Sequence, residues 1–584
     1  MGLKVVVIGA VAAGPKAACH IMRLLPDAEI TMIDEDSLIS YGGCGIPYFV
    51  AGDVADEKEL RSTSFHMVRD VDFFEKAKGI KMMTETSAVS IDRKNKTVHV
   101  KSLKNGEESD LPYDKLLIAT GSRPFKLPIP GIDAENVIAI STLSSGIKVK
   151  DLLIANKVGT AVVIGGGAIG VEMAESFSDL WGVETTLIEF APHLFPGAVD
   201  EPCGNIMADC LRRNGVDVYV NEGAQEIICK DGRAVAVKTN NRELPCDLVI
   251  AATGVRVRNE LAVGAGLHVG MRGGISVNSR MQTSDPDIYA AGDCAEIVHM
   301  VSGERMTIPL GSLANREGRV AGTNIAGGTA QFKGAVGSFI VKAYDTAMGS
   351  AGLTMRAARM AGFDPECVWI ATGDRAHFFP TSGALYLCLV YDKRTRRVLG
   401  IQGTGPGESD SLSVRLDTAM AFMTQGGVGD GAKVEDLCNA ETAYAPPFSS
   451  AIDAINNLGF TAENQMDGYV KMMDPMDFIK VAEAGFSDPD TVIVDVRTWV
   501  EVEPFVEKYG KDKWIYFPYA TARANSLDLL PKDKNILLFC SSGGRAYEVN
   551  RVLSHAGYNN IQFVPGGHAF MSKLSKKWLP ESQQ

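Results

Sequence analysis

Among its eleven cysteines the sequence has no CxxC pair and no metal-ligand spacing, and the count is odd. That usage excludes a secreted disulfide framework and a zinc site and fits a reducing, cytoplasmic setting with no bound metal. No apolar run reaches the roughly 18 residues of a membrane span. There is no excess of positive charge either: the formal net charge is −13, which argues against nucleic acid or an anionic membrane as main partner. The apolar N-terminus runs straight into a glycine turn and is not read as a signal peptide. What is present is an ordinary globular composition over 584 residues, long enough for several domains.

Leu3 to Ile8 is a mostly β-branched run, after which Gly9-Ala10-Val11-Ala12-Ala13-Gly14 opens a helix from Lys16 to Leu25. A second strand, Glu29 to Ile33, ends at Asp34. Strand, glycine turn, helix, strand and acid make a dinucleotide fingerprint: helix N–H groups hold a pyrophosphate and the acid takes ribose hydroxyls. Val11 stands where the middle glycine is usual. The second unit has all three glycines, Gly165, Gly167 and Gly170, between the strand Ala161 to Ile164 and a helix from Val171 to Leu180. Its next strand ends at Glu189, nineteen positions after Gly170. An acid there accepts the adenosine 2′-hydroxyl and repels a 2′-phosphate, so NADH is expected rather than NADPH.

Two further strands break into similar turns, Ala119-Thr120-Gly121 and Ala252-Thr253-Gly254, and a third ends in Gly292-Asp293. Asp293 is placed to hydrogen-bond the ribityl chain or pyrophosphate of a long cofactor. Between these elements lies Ser40-Tyr41-Gly42-Gly43-Cys44-Gly45-Ile46-Pro47-Tyr48. A cysteine in a small-residue turn beside a cofactor is open to close approach, and a positive field there lowers its pKa.

Over roughly residues 1–455 these elements resemble the two-dinucleotide-binding flavoprotein disulfide reductases, which implies FAD as first cofactor and a hydride relay from NADH to flavin. Dithiol members of that class keep a second cysteine five residues away; Ile39 and Phe49 stand there instead. The stretch is similar to that of coenzyme A disulfide and persulfide reductases, which use one cysteine. The runs Ile308-Pro309-Leu310, Ala314 to Arg319 and Tyr444-Ala445-Pro446-Pro447 agree. The resemblance implies an obligate homodimer with a shared site, Tyr444 coming from the other subunit to the active cysteine. Ser40, Gly43, Lys16 and Arg23 fall where relatives meet coenzyme A. Gly43 replaces a frequent Asn, the run around Lys16 and Arg23 is less Arg-rich, and His377-Phe378-Phe379-Pro380 stands where some relatives have tyrosine.

Residues 456–468 read as a polar linker. Beyond it, a strand from Thr491 ends Asp495-Val496-Arg497, and a second from Asn535 delivers Cys540-Ser541-Ser542-Gly543-Gly544-Arg545. A cysteine in a loop of inward N–H groups at a helix start has its thiolate and persulfide stabilised. This region resembles rhodaneses. Protein phosphatases need five residues between Cys and Arg, whereas four stand here.

The expected fold is α/β: an FAD-binding domain over 1–122 and 247–328, an NAD(H)-binding domain over 123–246, an α+β dimer-interface domain over 329–455, and a rhodanese domain over 469–584. The expected activity is NADH-dependent reduction of persulfide or polysulfide, releasing hydrosulfide, with Cys44, Cys540, Tyr444 and Arg545 in catalysis. FAD and NADH serve as cofactors, and coenzyme A as a further ligand. The competing readings are a coenzyme A disulfide reductase, an NADH oxidase or peroxidase, and a non-enzymatic sulfur carrier or redox sensor.

Overall fold

The structure, a computed structural model, describes residues 2–524 and 530–583. They fall into two compact units, 1–191 with 214–337, and 192–213 with 338–584. In the first unit, β1 (Lys4–Ile8) leads through the first glycine loop into α1 (Ala13–Leu24) and back to β2 (Glu29–Ile33). Pro26 stops α1, because a residue before proline is driven out of the helical region. The sheet runs in the order Ile288–Ala290, Lys115–Ile118, β1, β2, Lys81–Met83, with every pair parallel. Val5, Val6 and Val7 are all buried, so β1 is a continuous apolar run with both faces covered, as parallel sheets require.

A one-turn helix at Gly43–Gly45 and the short α2 (Ile46–Ala51) follow β2. The second nucleotide unit repeats the first: β3 (Thr160–Ile164), α3 (Ala168–Ser178) and β4 (Glu184–Ile188). Its five-stranded parallel sheet has the order Val216–Tyr219, β4, β3, Leu248–Ala251, Val137–Ile138. Helix α4 (Gly311–Ile325) lies tight on α1. A Cβ at Gly318 would sit 2.4 Å from the Ala13 carbonyl oxygen, so glycine is what allows that approach.

In the second unit a five-stranded antiparallel sheet runs Phe339–Ala343, Thr346–Gly352, Val398–Pro406, Ala384–Asp392, Pro365–Gly373. Ala384–Asp392 and Val398–Pro406 form a hairpin that turns around Asp392-Lys393. Residues 192–213, which the sequence groups with the nucleotide-binding region 123–246, belong to this unit instead. Their helix, Glu201–Arg213, buries Cys203, Met207, Cys210 and Leu211, and Cys210 Sγ donates to the Ala343 carbonyl at 3.4 Å.

The expected linker at 456–468 is also different. Residues Ala454–Met466 form α5, started by a capping box at Asp453 and locked by the buried Arg415–Asp453 pair at 2.6 Å. Ile455, Leu458, Gly459 and Ala462 make its buried stripe.

The chain ends in a four-stranded parallel sheet, ordered Trp514–Tyr516, β5 (Thr491–Asp495), β6 (Asn535–Phe539), Ile561–Phe563. Helix α6 (Trp499–Tyr509) follows β5 and α7 (Gly544–His555) follows the Cys540 loop. Phe570 joins this layer to the antiparallel sheet, stacking on Trp369 at 5.2 Å and Tyr386 at 5.3 Å between centroids. No helix among the described residues is long and apolar enough to cross a membrane.

Candidate active site

The first glycine loop floors a cavity of about 1000 Å³. Gly9 has φ +108, and a Cβ there would meet the Ala119 carbonyl oxygen at 2.1 Å, so the loop passes under the neighbouring strand end without a side chain. Gly9, Val11, Ala12, Asp34, Gly43, Thr120, Gly121, Gly292 and Asp293, far apart in sequence, all line this cavity. Gly14 lies behind it, Lys16 and Arg23 lie along α1, and Cys44 stands beside it. The Asp34 carboxylate accepts the Ala10 N–H at 2.6 Å and the Asp36 N–H at 2.9 Å, and burial pushes its pKa up. Asp293 accepts a hydrogen bond from Ser122 at 2.8 Å; burial raises it, and that bond pulls the other way. Ser122 carried no signal in the sequence beyond its place after the glycine turn. The N-cap of α1, Ala12, offers no side-chain cap, which leaves the helix N–H groups facing the cavity for the pyrophosphate of a dinucleotide.

Glu317 on α4 accepts the Gly292 N–H at 2.7 Å from a fully buried position, and burial raises its pKa to about 8. The folded chain therefore holds a proton that the unfolded chain loses near pH 4.5. Stability is fullest below that value and falls as pH rises toward 8. Glu317→Gln, which keeps the acceptor, is expected to flatten that decline by on the order of 3 kcal/mol, read as Tm between pH 5 and 9.

The second loop has the same construction. Gly165 has φ +111 and a Cβ there would meet the Ala252 carbonyl oxygen at 2.3 Å. Glu189 accepts the Gly166 N–H at 2.6 Å and the Ala191 N–H at 2.7 Å. In both nucleotide units the acid ending the second strand thus braces the loop. Gly167 is the N-cap of α3, Gly170 lies in its first turn, and Gly254 accepts from Phe125 at 2.8 Å after the strand Leu248–Ala251. Arg213 pairs with Asp209 at 2.9 Å, and Arg213 belongs to the second unit.

Cys44 is exposed, in the turn Gly43–Gly45. Ile39 and Phe49 are buried apolar residues. A Cβ at Gly311 would be 4.0 Å from Cys44 Sγ, so the thiol stands at the start of α4. The positive field expected around it is not what dominates: although the residue is exposed, the atoms packed round the sulfur partly desolvate the thiolate and raise its pKa, and Glu172 and Asp293 add to the rise. Gly43 has nothing within 4 Å of where a Cβ would be. Ser40 is buried, with φ 51 and its N–H on the Ala10 carbonyl at 2.7 Å.

Lys16 and Arg23 act on Cys19 together with two cations the sequence reading missed, Lys78 and Arg69. Arg69 also donates to the Leu60 carbonyl at 3.3 Å, which in turn accepts the Gly42 N–H at 2.8 Å. A cationic strip thus leads toward the Cys44 turn. Their separation in sequence, Arg69 and Lys78 from Lys16 and Arg23, hid it.

In the second unit Tyr444 is exposed, in irregular chain tied to the 374–383 loop by the Ala376 N–H on the Pro446 carbonyl at 3.4 Å. Cys438 is half-buried, 3.9 Å from Glu463, and burial raises its pKa to about 11. Cys540 is 1% exposed, and the Gly543 N–H points at its sulfur at 3.0 Å. Arg545 donates to Ser541 Oγ, and Ser541 donates to Glu501 at 3.1 Å. Asp495 and Arg497 form a buried pair at 2.7 Å, with Trp514 donating to Asp495 at 3.0 Å.

Two parallel dinucleotide-type sheets, with an exposed thiol beside the first cavity, define an oxidoreductase of the nucleotide-dependent class. The chain belongs to the pyridine nucleotide-disulphide oxidoreductase family, whose model matches residues 3–318. It is 34% identical over 458 residues, 78% of this chain and 97% of the relative, to the "NAD(P)H coenzyme A polysulfide/persulfide reductase" of Pyrococcus horikoshii. Among solved structures it is similar to a NAD-dependent persulfide reductase from A. fulgidus, with a TM-score of 0.89 and 38% identity, covering 97% of this chain and 100% of that one. Reduced Bacillus anthracis CoADR-RHD gives a TM-score of 0.87 and 29% identity, with 98% of each chain covered.

Proposed function

We propose that the protein is an FAD-dependent NADH:persulfide or polysulfide reductase with one redox cysteine, Cys44. The observation that carries this reading is a lone exposed thiol at the edge of a dinucleotide cavity, with buried apolar residues where a dithiol enzyme needs its second sulfur. The Gly9 loop, Asp34 and Asp293 would hold FAD and the Gly165 loop and Glu189 would hold NADH, and the bound pair would supply the two electrons the reaction needs. The Cys44 thiolate attacks the inner sulfur of a persulfide RS–SH; the S–S bond breaks, hydrosulfide leaves, and Cys44–S–S–R remains. Two electrons and two protons then return Cys44 and the free thiol RSH. Lys16, Arg23, Arg69 and Lys78 suit the phosphates of coenzyme A as the carrier R. In a homodimer Tyr444 brings a phenol to the leaving thiol.

Residues 469–584 serve, in this reading, as a rhodanese domain carrying sulfane sulfur on Cys540. Supporting it are the Gly543 N–H on the sulfur and the helix start behind it. Cys540→Ser is expected to abolish persulfide labelling of this domain by polysulfide while leaving NADH oxidation by added CoA persulfide within about threefold, checked by mass spectrometry and absorbance.

The testing experiment is anaerobic NADH oxidation with polysulfide, CoA persulfide and CoA disulfide in parallel, with hydrosulfide assayed. Hydrosulfide released one-for-one with NADH, with slower CoA disulfide turnover, supports the proposal. NADH consumed only with oxygen or peroxide overturns it.

A further inference from the structure

Strands β5 and β6 are parallel neighbours, so the segments leaving their ends, 496–501 and 540–545, emerge side by side. The first opens α6, with Thr498 three residues before Glu501. Glu501 Oε2 accepts the Thr498 N–H at 3.0 Å and the Thr498 hydroxyl at 2.8 Å, which fixes the carboxylate on the first turn. Its other oxygen, Oε1, is aimed at the Cys540 loop. It accepts a hydrogen bond from Ser541 Oγ at 3.1 Å and lies 3.8 Å from the Arg545 guanidinium, which itself donates to Ser541 Oγ.

Two kinds of positive potential serve this loop, and they differ in what they can hold. The Gly543 N–H, 3.0 Å from Cys540 Sγ, and the start of α7 supply partial charge, which suits a thiolate or a persulfide anion. The full charge is Arg545, and Glu501 stands against it. Their side chains are 32% and 37% exposed, so an arriving donor meets the pair rather than a free guanidinium. Arg497, the other guanidinium at these strand ends, is closed in its buried pair with Asp495 at 2.7 Å. Burial alone would raise the Glu501 carboxyl, but Thr498, Ser541 and Arg545 hold it below the usual carboxylate range, so it stays an anion at neutral pH.

We propose that Glu501 is a specificity-determining residue of the Cys540 loop. It cancels Arg545, so that the loop takes sulfur from persulfides carrying at most one negative charge rather than from dianions such as thiosulfate. This rests on the reading of Cys540 as the sulfur carrier. With a persulfide, the Cys540 thiolate attacks the terminal sulfur of RS–SH. The new S–S bond forms, the old one breaks, and RS⁻ leaves with the bonding pair, giving Cys540–S–SH. With thiosulfate the same attack gives Cys540–S–S⁻ and releases sulfite. Neither step needs an added oxidant or reductant. They differ in charge: thiosulfate brings two negative charges in and sulfite carries two out, past a carboxylate that repels both. Recognition of such an anion calls for open guanidinium donors, and Arg545 is already engaged by Ser541 and Glu501.

The test is the second-order rate of persulfide formation on Cys540 in the anaerobic full-length protein, followed on the Cys540 peptide by mass spectrometry. The donors are hydroxyethyl persulfide and thiosulfate, each at low salt. Glu501→Gln keeps an acceptor for Thr498 and Ser541 but removes the charge. It is expected to raise the ratio of thiosulfate rate to persulfide rate at least about fivefold, a gain that shrinks at about 1 M salt. Glu501→Asp, which keeps the charge, retains the wild-type ratio. If Glu501→Gln does not fold, the wild type decides. Its thiosulfate rate is expected not to fall as salt rises from about 10 mM to about 0.3 M, whereas approach to an open guanidinium would slow. A ratio within about twofold of wild type in folded Glu501→Gln, a raised ratio in Glu501→Asp, or a wild-type thiosulfate rate that falls with salt overturns the proposal. No Cys540 persulfide from either donor would instead sink the reading of Cys540 beneath it.

Discussion

Cys44→Ser is expected to remove sulfur-dependent NADH oxidation by at least about 10³-fold, the scale on which losing a covalent nucleophile is felt. A serine hydroxyl ionises far above any working pH and is a much weaker nucleophile than a thiolate. Cys19 is half-buried within a helix, and Cys294 is fully buried on the Ile118 and Ala291 carbonyls at 3.5 and 3.4 Å, so neither substitutes for it. Electron transfer from NADH to ferricyanide needs no thiol and is expected to stay within about twofold in the same variant. The ratio of the two activities is therefore the informative number: a parallel fall in both would mean a damaged cofactor site rather than a lost nucleophile.

Gly14→Val is expected to yield a protein that loses its flavin on purification and unfolds at a markedly lower temperature. A Cβ at Gly14 would sit 1.9 Å from the Gly9 carbonyl oxygen and 3.1 Å from Val7 Cγ1. Both are fixed by the sheet, so α1 must be pushed off β1, with an overpacking cost of about 1–3 kcal/mol for the first methyl alone. The loop whose N–H groups face the cavity moves with it. Gly264→Ala provides the control, because nothing lies within 4 Å of a Cβ there and the residue is away from the cavity. Flavin content by absorbance and Tm by circular dichroism separate the two; retention of flavin by Gly14→Val at wild-type level would contradict the packing argument.

The nucleotide units were legible in the sequence because each is a local pattern: a β-branched run, glycines at fixed offsets, and an acid at the next strand's end. Asp34 and Glu189 directly follow the strands Glu29–Ile33 and Glu184–Ile188. Helix α5 was misread for a physical reason. Asn456, Asn457 and the Thr-Ala-Glu-Asn-Gln run look like linker, yet Ile455, Leu458, Gly459 and Ala462 repeat at i, i+3, i+4 and i+7, which is a helix face. Helix Glu201–Arg213 was assigned by chain order, which says nothing about which sheet its apolar face meets. The family model covers 3–318, so the chemistry of Cys540 rests on the loop itself.

In the proposed sulfur-carrying role, that loop would also govern which sulfur an incoming thiol can reach. Cys540 Sγ is covered at 1% exposure and already holds the Gly543 N–H. A second sulfur added to it extends the chain by about 2 Å. An acceptor thiolate then meets the outer atom first, while the inner one stays shielded. Attack on the outer atom passes the sulfur on and frees Cys540; attack on the inner atom would trap the acceptor on the protein. In the proposed sulfur-carrying role, burial of the cysteine would steer each encounter to transfer rather than to a dead-end mixed disulfide.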